Sequence, residues 1–293
     1  MQITASMVKE LRDRTGSGMM ECKKALQEAN GDIDTAIENM RKSGLAKADK
    51  KSGRIAAEGR VAIEISADGK SAAVVEVNCE TDFVSGGDDF LSFVQSVAKT
   101  ALANQPADVA ALSEMVLDGT SETIELARKA MIAKIGENIQ LRRFVLLKTE
   151  NGKFGSYLHG TRMGVLVEME NGSDDLIKDV AMHIAASNPI CVSESEVPAE
   201  VLEKEKEILR AQALDSGKPA DIVEKMLVGR VRKYLAEVTL LGQSFVKDPD
   251  KTVETLLADA GAKVNRFVRY EVGEGIEKKQ DNFAEEVMAQ VNG

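Results

Sequence analysis

The spacing of apolar residues changes several times along the chain, and each change marks an element. Met7, Val8 and Leu11 fall on one helical face after Thr4, whose hydroxyl suits an N-cap. Gly16 and Gly18 interrupt that helix before a second one carrying Cys22, Ala25, Leu26 and Ala29. Gly31 ends the second helix. Asp32 caps a third, with Ile33, Ala36, Ile37 and Met40 inward and Gly44 expected at its close. A three-helix module over 1–55 results. The period then becomes two, in Val61, Ile63 and Ile65 and again in Ala73, Val75 and Val77. Asp68-Gly69 between these runs is a strong hairpin signal. A helix from Asp88 to near Ala103 follows, Pro106 breaks it, and Ile124, Ala127, Met131 and Ile135 define another before a third strand, Ile139 to Leu147.

The pattern then recurs. Strand-like Gly164 to Met169 leads through Asn171-Gly172 and acidic Asp174-Asp175 into a helix with Leu176, Ile177, Val180, Ala181 and Ile184. Val264-Asn265-Arg266-Phe267-Val268-Arg269-Tyr270 echoes the earlier Arg142-Arg143-Phe144-Val145. The expected fold is therefore α+β, with two related α+β modules built on antiparallel sheets. One spans 56–142, the other 143–196 and 239–273. Residues 197–238 break the repeat: Val201, Leu202, Ile208 and Leu209 on one amphipathic helix and Ile222, Met226 and Val231 on a second, joined by Ser216-Gly217-Lys218-Pro219, predict an inserted helical hairpin. Phe283, Val287 and Val291 predict a last amphipathic helix within 274–293.

Charge narrows the functional classes. With 38 Lys and Arg against 48 Asp and Glu the net charge is −10, which argues against general affinity for nucleic acid or an anionic membrane surface. The short basic run Lys47, Lys50, Lys51, Arg54 reads as a solvated linker or helix end. No apolar run reaches the roughly 18 residues of a membrane span, and Met1-Gln2-Ile3-Thr4-Ala5 lacks the basic flank and apolar core of a signal peptide. A cytoplasmic protein is expected. Cys22, Cys79 and Cys191 are far apart and form no Cys-x-x-Cys pair, so they read as small buried hydrophobes.

Candidate chemistry is sparse. Gly16-Ser17-Gly18 and Gly273-Glu274-Gly275 lack the remaining residues of a phosphate loop or dinucleotide fingerprint, and no site for catalysis, metal or cofactor emerges. His183 lies on or near an apolar helical stripe and is expected in the core, whereas His159 occupies a loop position suited to contact. Met19 and Met20 are adjacent, so one helix cannot bury both equally and at least one is expected to face out, with Lys23 a turn away. The stretch Asn78-Cys79-Glu80-Thr81-Asp82-Phe83-Val84-Ser85-Gly86-Gly87 joins a strand to a helix and places an acid beside a bulky aromatic. Two readings stay open there: Phe83 is presented to a partner, as loop residues on rigid elements often are, or it folds back as a lid on the local core while Asp82 caps the helix. The second module has Glu170-Asn171-Gly172 at the corresponding joint, so the fold does not require the Asp-Phe pair, and this favours binding.

Thr81-Asp82-Phe83-Val84, the opening Leu11 to Leu26, Lys134-Ile135-Gly136-Glu137-Asn138, Gly155-Ser156-Tyr157-Leu158-His159-Gly160 and Val272 to Lys278 together resemble the bacterial elongation factor Ts family, in the family's order. The resemblance implies a guanine-nucleotide exchange factor for elongation factor Tu in translation, with a ubiquitin-associated-like amino-terminal module and a helical arm used in self-association. It implies that Phe83, with Thr81, Asp82 and Val84, wedges into the GTPase and dislodges its magnesium. Ile135, Gly136 and His159 would support that contact, Met19, Met20 and Lys23 would dock on the nucleotide domain, and Val246 would join from the second module. Ser85-Gly86-Gly87 stands where the family usually has alanine and lysine, so no lysine contact is expected there. Two other classes compete: an enzyme with Asp82 as acid or base and His159 as its partner, and a scaffold acting through the helical arm. The length of the resemblance and the lack of a cofactor motif favour exchange.

Overall fold

The structure, a computed structural model, describes residues 3–214 and 220–277. The expected 216–219 turn and the carboxy-terminal helix with Phe283, Val287 and Val291 lie outside the described residues.

Three helices open the chain: α1 (Ala5–Thr15), α2 (Met19–Glu28) and α3 (Ile33–Lys51). Their caps follow the sequence, since Thr4 Oγ1 accepts from Met7 N–H and Asp32 Oδ1 accepts from Thr35 N–H at 2.6 Å. Val8, Leu11, Cys22, Leu26 and Ala36 close around one small core. Gly44 does not end α3. A Cβ there would stand 3.0 Å from the Cβ of Ala133 on α7 (Ile124–Ile135), so the glycine marks where two helices cross closely, and α3 continues for two further turns. Its basic end is used: Lys51 Nζ donates to the carbonyl of Gly136, and Lys129 of α7 pairs with Asp49 at 3.0 Å.

Two three-stranded antiparallel sheets follow. The first has the order β1 (Glu58–Ile65), β2 (Ser71–Cys79), β3 (Ile139–Lys148); the second β4 (Lys153–His159), β5 (Met163–Glu170), β8 (Lys263–Glu271). Between β2 and β3 lie the one-turn helix α4 (Asp82–Ser85), α5 (Asp88–Asn104), α6 (Val109–Ser113) and α7. After β5 come α8 (Asp174–Ser187), the arm helices α9 (Ala199–Leu214) and α10 (Ala220–Val238), the short strands β6 (Ser244–Phe245) and β7 (Asp248–Thr252), and α11 (Val253–Asp259). The expected break between 142 and 143 falls inside β3, which stays paired with β2 as far as Lys148 opposite Ser71. β4 was not expected as a strand, and it places His159 at a strand end rather than in a loop.

The central strands are buried on both faces because the sheets pack back to back. Ala73, Val75 and Val77 meet the helices, while Ala72 and Val74 meet Leu166, Phe154 and Val272 of the other unit. Into this apolar seam each sheet admits one carboxylate, and in the same place. A register shift on β2 at Glu76/Val77 is matched by one on β5 at Glu168/Met169. Beside each shift a buried glutamate is gripped from the neighbouring strand: Glu76 by Arg143 at 2.5 Å and Arg142 at 2.9 Å, Glu168 by Arg266 at 2.6 Å and Asn265 at 3.1 Å. Glu76 Oε1 also accepts the Gly273 N–H at 2.9 Å, and Arg143 stacks over Tyr270 with 4.1 Å from Cζ to the ring centroid, so this carboxylate ties the end of the second sheet to the first. Gly273 has φ 75 and leaves room for the Ala57 carbonyl, which a Cβ would meet at 2.3 Å.

The arm leaves and re-enters at one point, for Ile190 N–H donates to Val238 O at 2.9 Å and Leu240 N–H to Cys191 O at 2.9 Å.

Burial raises the Glu76 pKa, yet the bonds from Gly273, Arg142 and Arg143 outweigh it and hold the carboxyl below its ordinary value. A folded value below the unfolded one means stability that is complete above the unfolded carboxylate range and lost as pH falls through the folded value. Glu76→Ala strands two arginines and should cost roughly 3–5 kcal/mol in denaturant unfolding at neutral pH. The variant should also lose part of the wild type's stability decline on acidification. A variant as stable as the wild type at pH 7 would show that Glu76 is not the tie.

Candidate functional site

The joint between β2 and α5 is built to hold a side chain outward. Thr81 precedes α4, and both its N–H (3.0 Å) and its hydroxyl (2.6 Å) donate to the Glu137 carboxylate just past α7. Gly136, at φ 91, is what allows the chain to turn from α7 toward Thr81. At the other end of the turn the Ser85 carbonyl accepts from Arg60 Nε on β1, and the Ser85 hydroxyl donates to Asp82 O at 3.1 Å. Val84 packs on the first core. Fixed in this way, the turn leaves Phe83 90% exposed. The lid reading is therefore overturned: Val84, not Phe83, folds back. Asp82 is no cap either, because it is the first residue of α4, and Gly87 holds the N-cap position of α5.

Beneath the turn Cys79 Sγ donates to Thr81 O at 3.1 Å. Burial first, then the charge of Glu137, pushes this thiol up to about 12, so it serves as a buried donor and not as a thiolate.

Several expected residues gather around this turn. Ile135 is half-buried against the first core, and Gly136 lies one residue before Glu137. Lys134 pairs with Asp89 at the start of α5 (2.6 Å), and its Cε would lie 3.2 Å from a Cβ on Gly16, which brings the α1–α2 loop to the same end of α7. From there α2 presents Met19 (48% exposed), Met20 (75% exposed) and exposed Lys23, so both methionines face out. The loop after β4 docks on β1, where Val61 N–H donates to Thr161 O at 3.2 Å and Arg162 pairs with Glu58. His159 thus stands on one flank of β1 and the Phe83 turn on another. Val246 is held elsewhere: its N–H donates to Nδ1 of fully buried His183 at 3.2 Å, and no hydrogen bond among the described residues joins it to the turn. His183 gives Nε2–H to Gln243 Oε1 at 2.9 Å, and burial lowers its pKa, as a neutral core histidine requires.

Asp82 and His159 form no acid–base pair, since the ring of His159 bonds to Tyr157 OH. Among the described residues there is no cluster of three or more His, Cys, Asp or Glu able to hold a metal ion, and no helix long and apolar enough to cross a membrane.

The model of the family described as Elongation factor TS matches residues 80–274. The elongation factor Ts of Thioalkalivibrio sulfidiphilus is 64% identical over the whole of both chains, and that of Methylococcus capsulatus 63% identical over 99% of each. That of Legionella pneumophila is 54% identical over 99% of this chain and 98% of its own. The chain belongs to the elongation factor Ts family. The match to the elongation factor Ts model begins at Glu80, whose carboxylate accepts Asn138 N–H at 2.6 Å, and it therefore contains the whole Thr81–Glu137 pin. Of the residues that hold the turn, sequence reasoning gave no role to Glu137, which figured only within the Lys134–Asn138 motif, and did not single out Arg60. The available signal was an acid placed immediately after a helix-ending glycine.

Glu137→Ala should release Thr81 and leave the sheet unchanged. Amide exchange at Gly86 and Gly87 should rise by roughly tenfold or more, the loss of charge-assisted bonds worth about 1.5–3 kcal/mol, while Val75 and Val77 keep their protection. Equal protection in the two proteins would rule out the pin.

Proposed function

We propose that the Phe83 turn is the surface through which this protein promotes release of GDP from elongation factor Tu. As a member of the elongation factor Ts family, at 54–64% identity to relatives along its full length, it is a guanine-nucleotide exchange factor in translation elongation. It acts by binding its partner, without chemical conversion of a substrate. The observation that carries the reading is the 90% exposure of Phe83 on a turn tied at both ends. Leaving a phenylalanine in water forgoes roughly 1.5–3 kcal/mol of burial, and a partner that buries the ring recovers it.

Exchange then follows from coupling. If Phe83 fits only a GTPase conformation whose magnesium and GDP site is disturbed, binding the protein weakens the nucleotide, and the nucleotide weakens the protein by the same factor. In this reading Thr81, Asp82 and Val84 set the angle of the wedge, and Ile135, Gly136 and His159 flank it. Met19, Met20 and Lys23 dock the amino-terminal module on the nucleotide domain, and Val246 makes a second, separate contact. The net charge of −10 suits a protein partner better than nucleic acid. The arm, with Val228 72% exposed, is assigned to self-association.

Phe83→Ala should slow stimulated GDP release by roughly ten- to a hundredfold, since about 1.4 kcal/mol is tenfold in an equilibrium constant. Its melting temperature should match the wild type, and a destabilised variant with unimpaired exchange per folded molecule would refute the wedge. Replacing 197–238 by a short linker should spare exchange and reduce self-association, because the chain leaves for the arm and returns from it at one point, where Ile190 and Cys191 bond to Val238 and Leu240. A folded deletion protein without exchange would contradict that assignment.

A further inference from the structure

His159 and Tyr157 alternate along β4 and so share one face of the second sheet. The Tyr157 hydroxyl lies 3.2 Å from His159 Nδ1, with the ring centroids 6.2 Å apart and the planes tilted by 37°. The two rings differ in burial. Tyr157 is partly buried against the core under α8, which fixes its hydroxyl, whereas His159 is exposed and its Nε2 has no partner among the described residues. On this face Lys153 of β4 pairs with Asp174 of α8 at 2.7 Å, and the charged groups nearest the two rings belong to β8. Register carries Tyr157 across Val165 to Arg269, and His159 across Met163 to Glu271. Arg269 Nη2 donates to Glu271 Oε2 at 2.7 Å, so Glu271 is already engaged. A phenol is a better hydrogen-bond donor than acceptor, and an unprotonated imidazole nitrogen is a good acceptor, so the shared proton sits on the tyrosine and the ring's own proton on the far nitrogen.

We infer that Tyr157 is a positioning residue for His159: its hydroxyl fixes the tautomer in which Nε2 carries the hydrogen, and the Tyr157–His159 pair offers that N–H to a carbonyl or carboxylate oxygen of the GTPase. The assignment of the acceptor rests on the exchange reading above. The tautomer does not, because it is a property of the protein alone.

Two measurements on the full chain decide it. Long-range nitrogen–proton NMR of the imidazoles reports each tautomer directly, and only two histidines are present. His183, whose Nδ1 accepts from Val246, is an internal standard for the Nε2–H form. The wild type should show His159 as almost wholly Nε2–H at neutral pH, and Tyr157→Phe, which keeps the packed ring, should relax to the weaker Nε2–H preference of a free histidine. A wild-type His159 in the Nδ1–H form, or a bias unchanged in Tyr157→Phe, would overturn the role of Tyr157. In GDP-release assays His159→Gln, whose amide reaches the place of Nε2–H, should stay within about threefold of wild type, while His159→Asn, which reaches only the place of Nδ1, should fall with His159→Ala by about three- to tenfold in half-saturating concentration, the worth of one hydrogen bond. The reverse order, Asn active and Gln not, would overturn the assignment of Nε2 as the donor. Failure of the wild type to release GDP at all would sink the exchange reading and with it the acceptor, leaving the NMR result to judge the tautomer.

Discussion

The outward Phe83 turn depends on a carboxylate that does no chemistry. Glu137 takes both the N–H and the hydroxyl of Thr81, and it can do so only because Gly136 turns the chain at the end of α7. Without that tie a four-residue helix carrying a phenylalanine would relax toward its own core, since apolar burial is the dominant local force. With it, and with Arg60 on the Ser85 carbonyl, the only apolar residue of the turn free to fold inward is Val84. The cost of ordering the turn is thus met during folding, and a partner that took up Phe83 would keep more of the contact energy. α7 is shared by both sides of this arrangement: its end pins the turn, and its face receives α3 at Gly44, so the amino-terminal module and the Phe83 turn are mounted on one helix.

A second carboxylate fixes the frame. Glu76 sits in the seam between the sheets, and one of its oxygens accepts from the far end of the second unit at Gly273. Glu168 has the same place in the other sheet but its partners are different: Arg266, Asn265 and Thr149 Oγ1 at 2.6 Å. The two sheets thus share a register shift beside a buried acid, with different partners around each. Glu76 ties the first sheet to the end of the second at Gly273, and Glu168 reaches back to Thr149, just past the end of β3. A buried acid with several hydrogen bonds is costly to break yet contributes little when compared with an apolar replacement. What it provides here is register.

The sequence disclosed those parts of the fold in which one period dominates. The hairpin around Asp68-Gly69, the helix over α5 and the strand–helix repeat at β5 and α8 were all legible, because alternation in β1, helical spacing in α5 and α8, and the turn and cap residues between elements are local signals. β4 was not, since Gly155 and Ser156 weaken its strand signal, and Gly155 is small for a reason seen only in three dimensions: a Cβ there would lie 2.4 Å from Ile177 Cγ2. Gly44 misled in the same way, because a glycine for close helix crossing and a glycine for a helix end look alike in one dimension. At the candidate site the Asp-Phe pair was visible as an anomaly, but its direction was not. Exposure of Phe83 is set by Glu137 and Arg60, which lie 54 and 23 positions away in sequence. The two buried acids were foreshadowed only by the echo of Arg142-Arg143-Phe144 in Arg266-Phe267, since each arginine needs a carboxylate opposite.

The central claim is that Phe83 is held in water before any partner arrives and is buried when one does. Fluorine NMR of the protein labelled with 4-fluorophenylalanine at position 83 tests it most directly. The free protein should give one sharp resonance with the large light-to-heavy-water shift of an exposed fluorine, and adding elongation factor Tu should move it to a position insensitive to heavy water. A resonance already insensitive in the free protein, or one left exposed in the complex, would contradict the account.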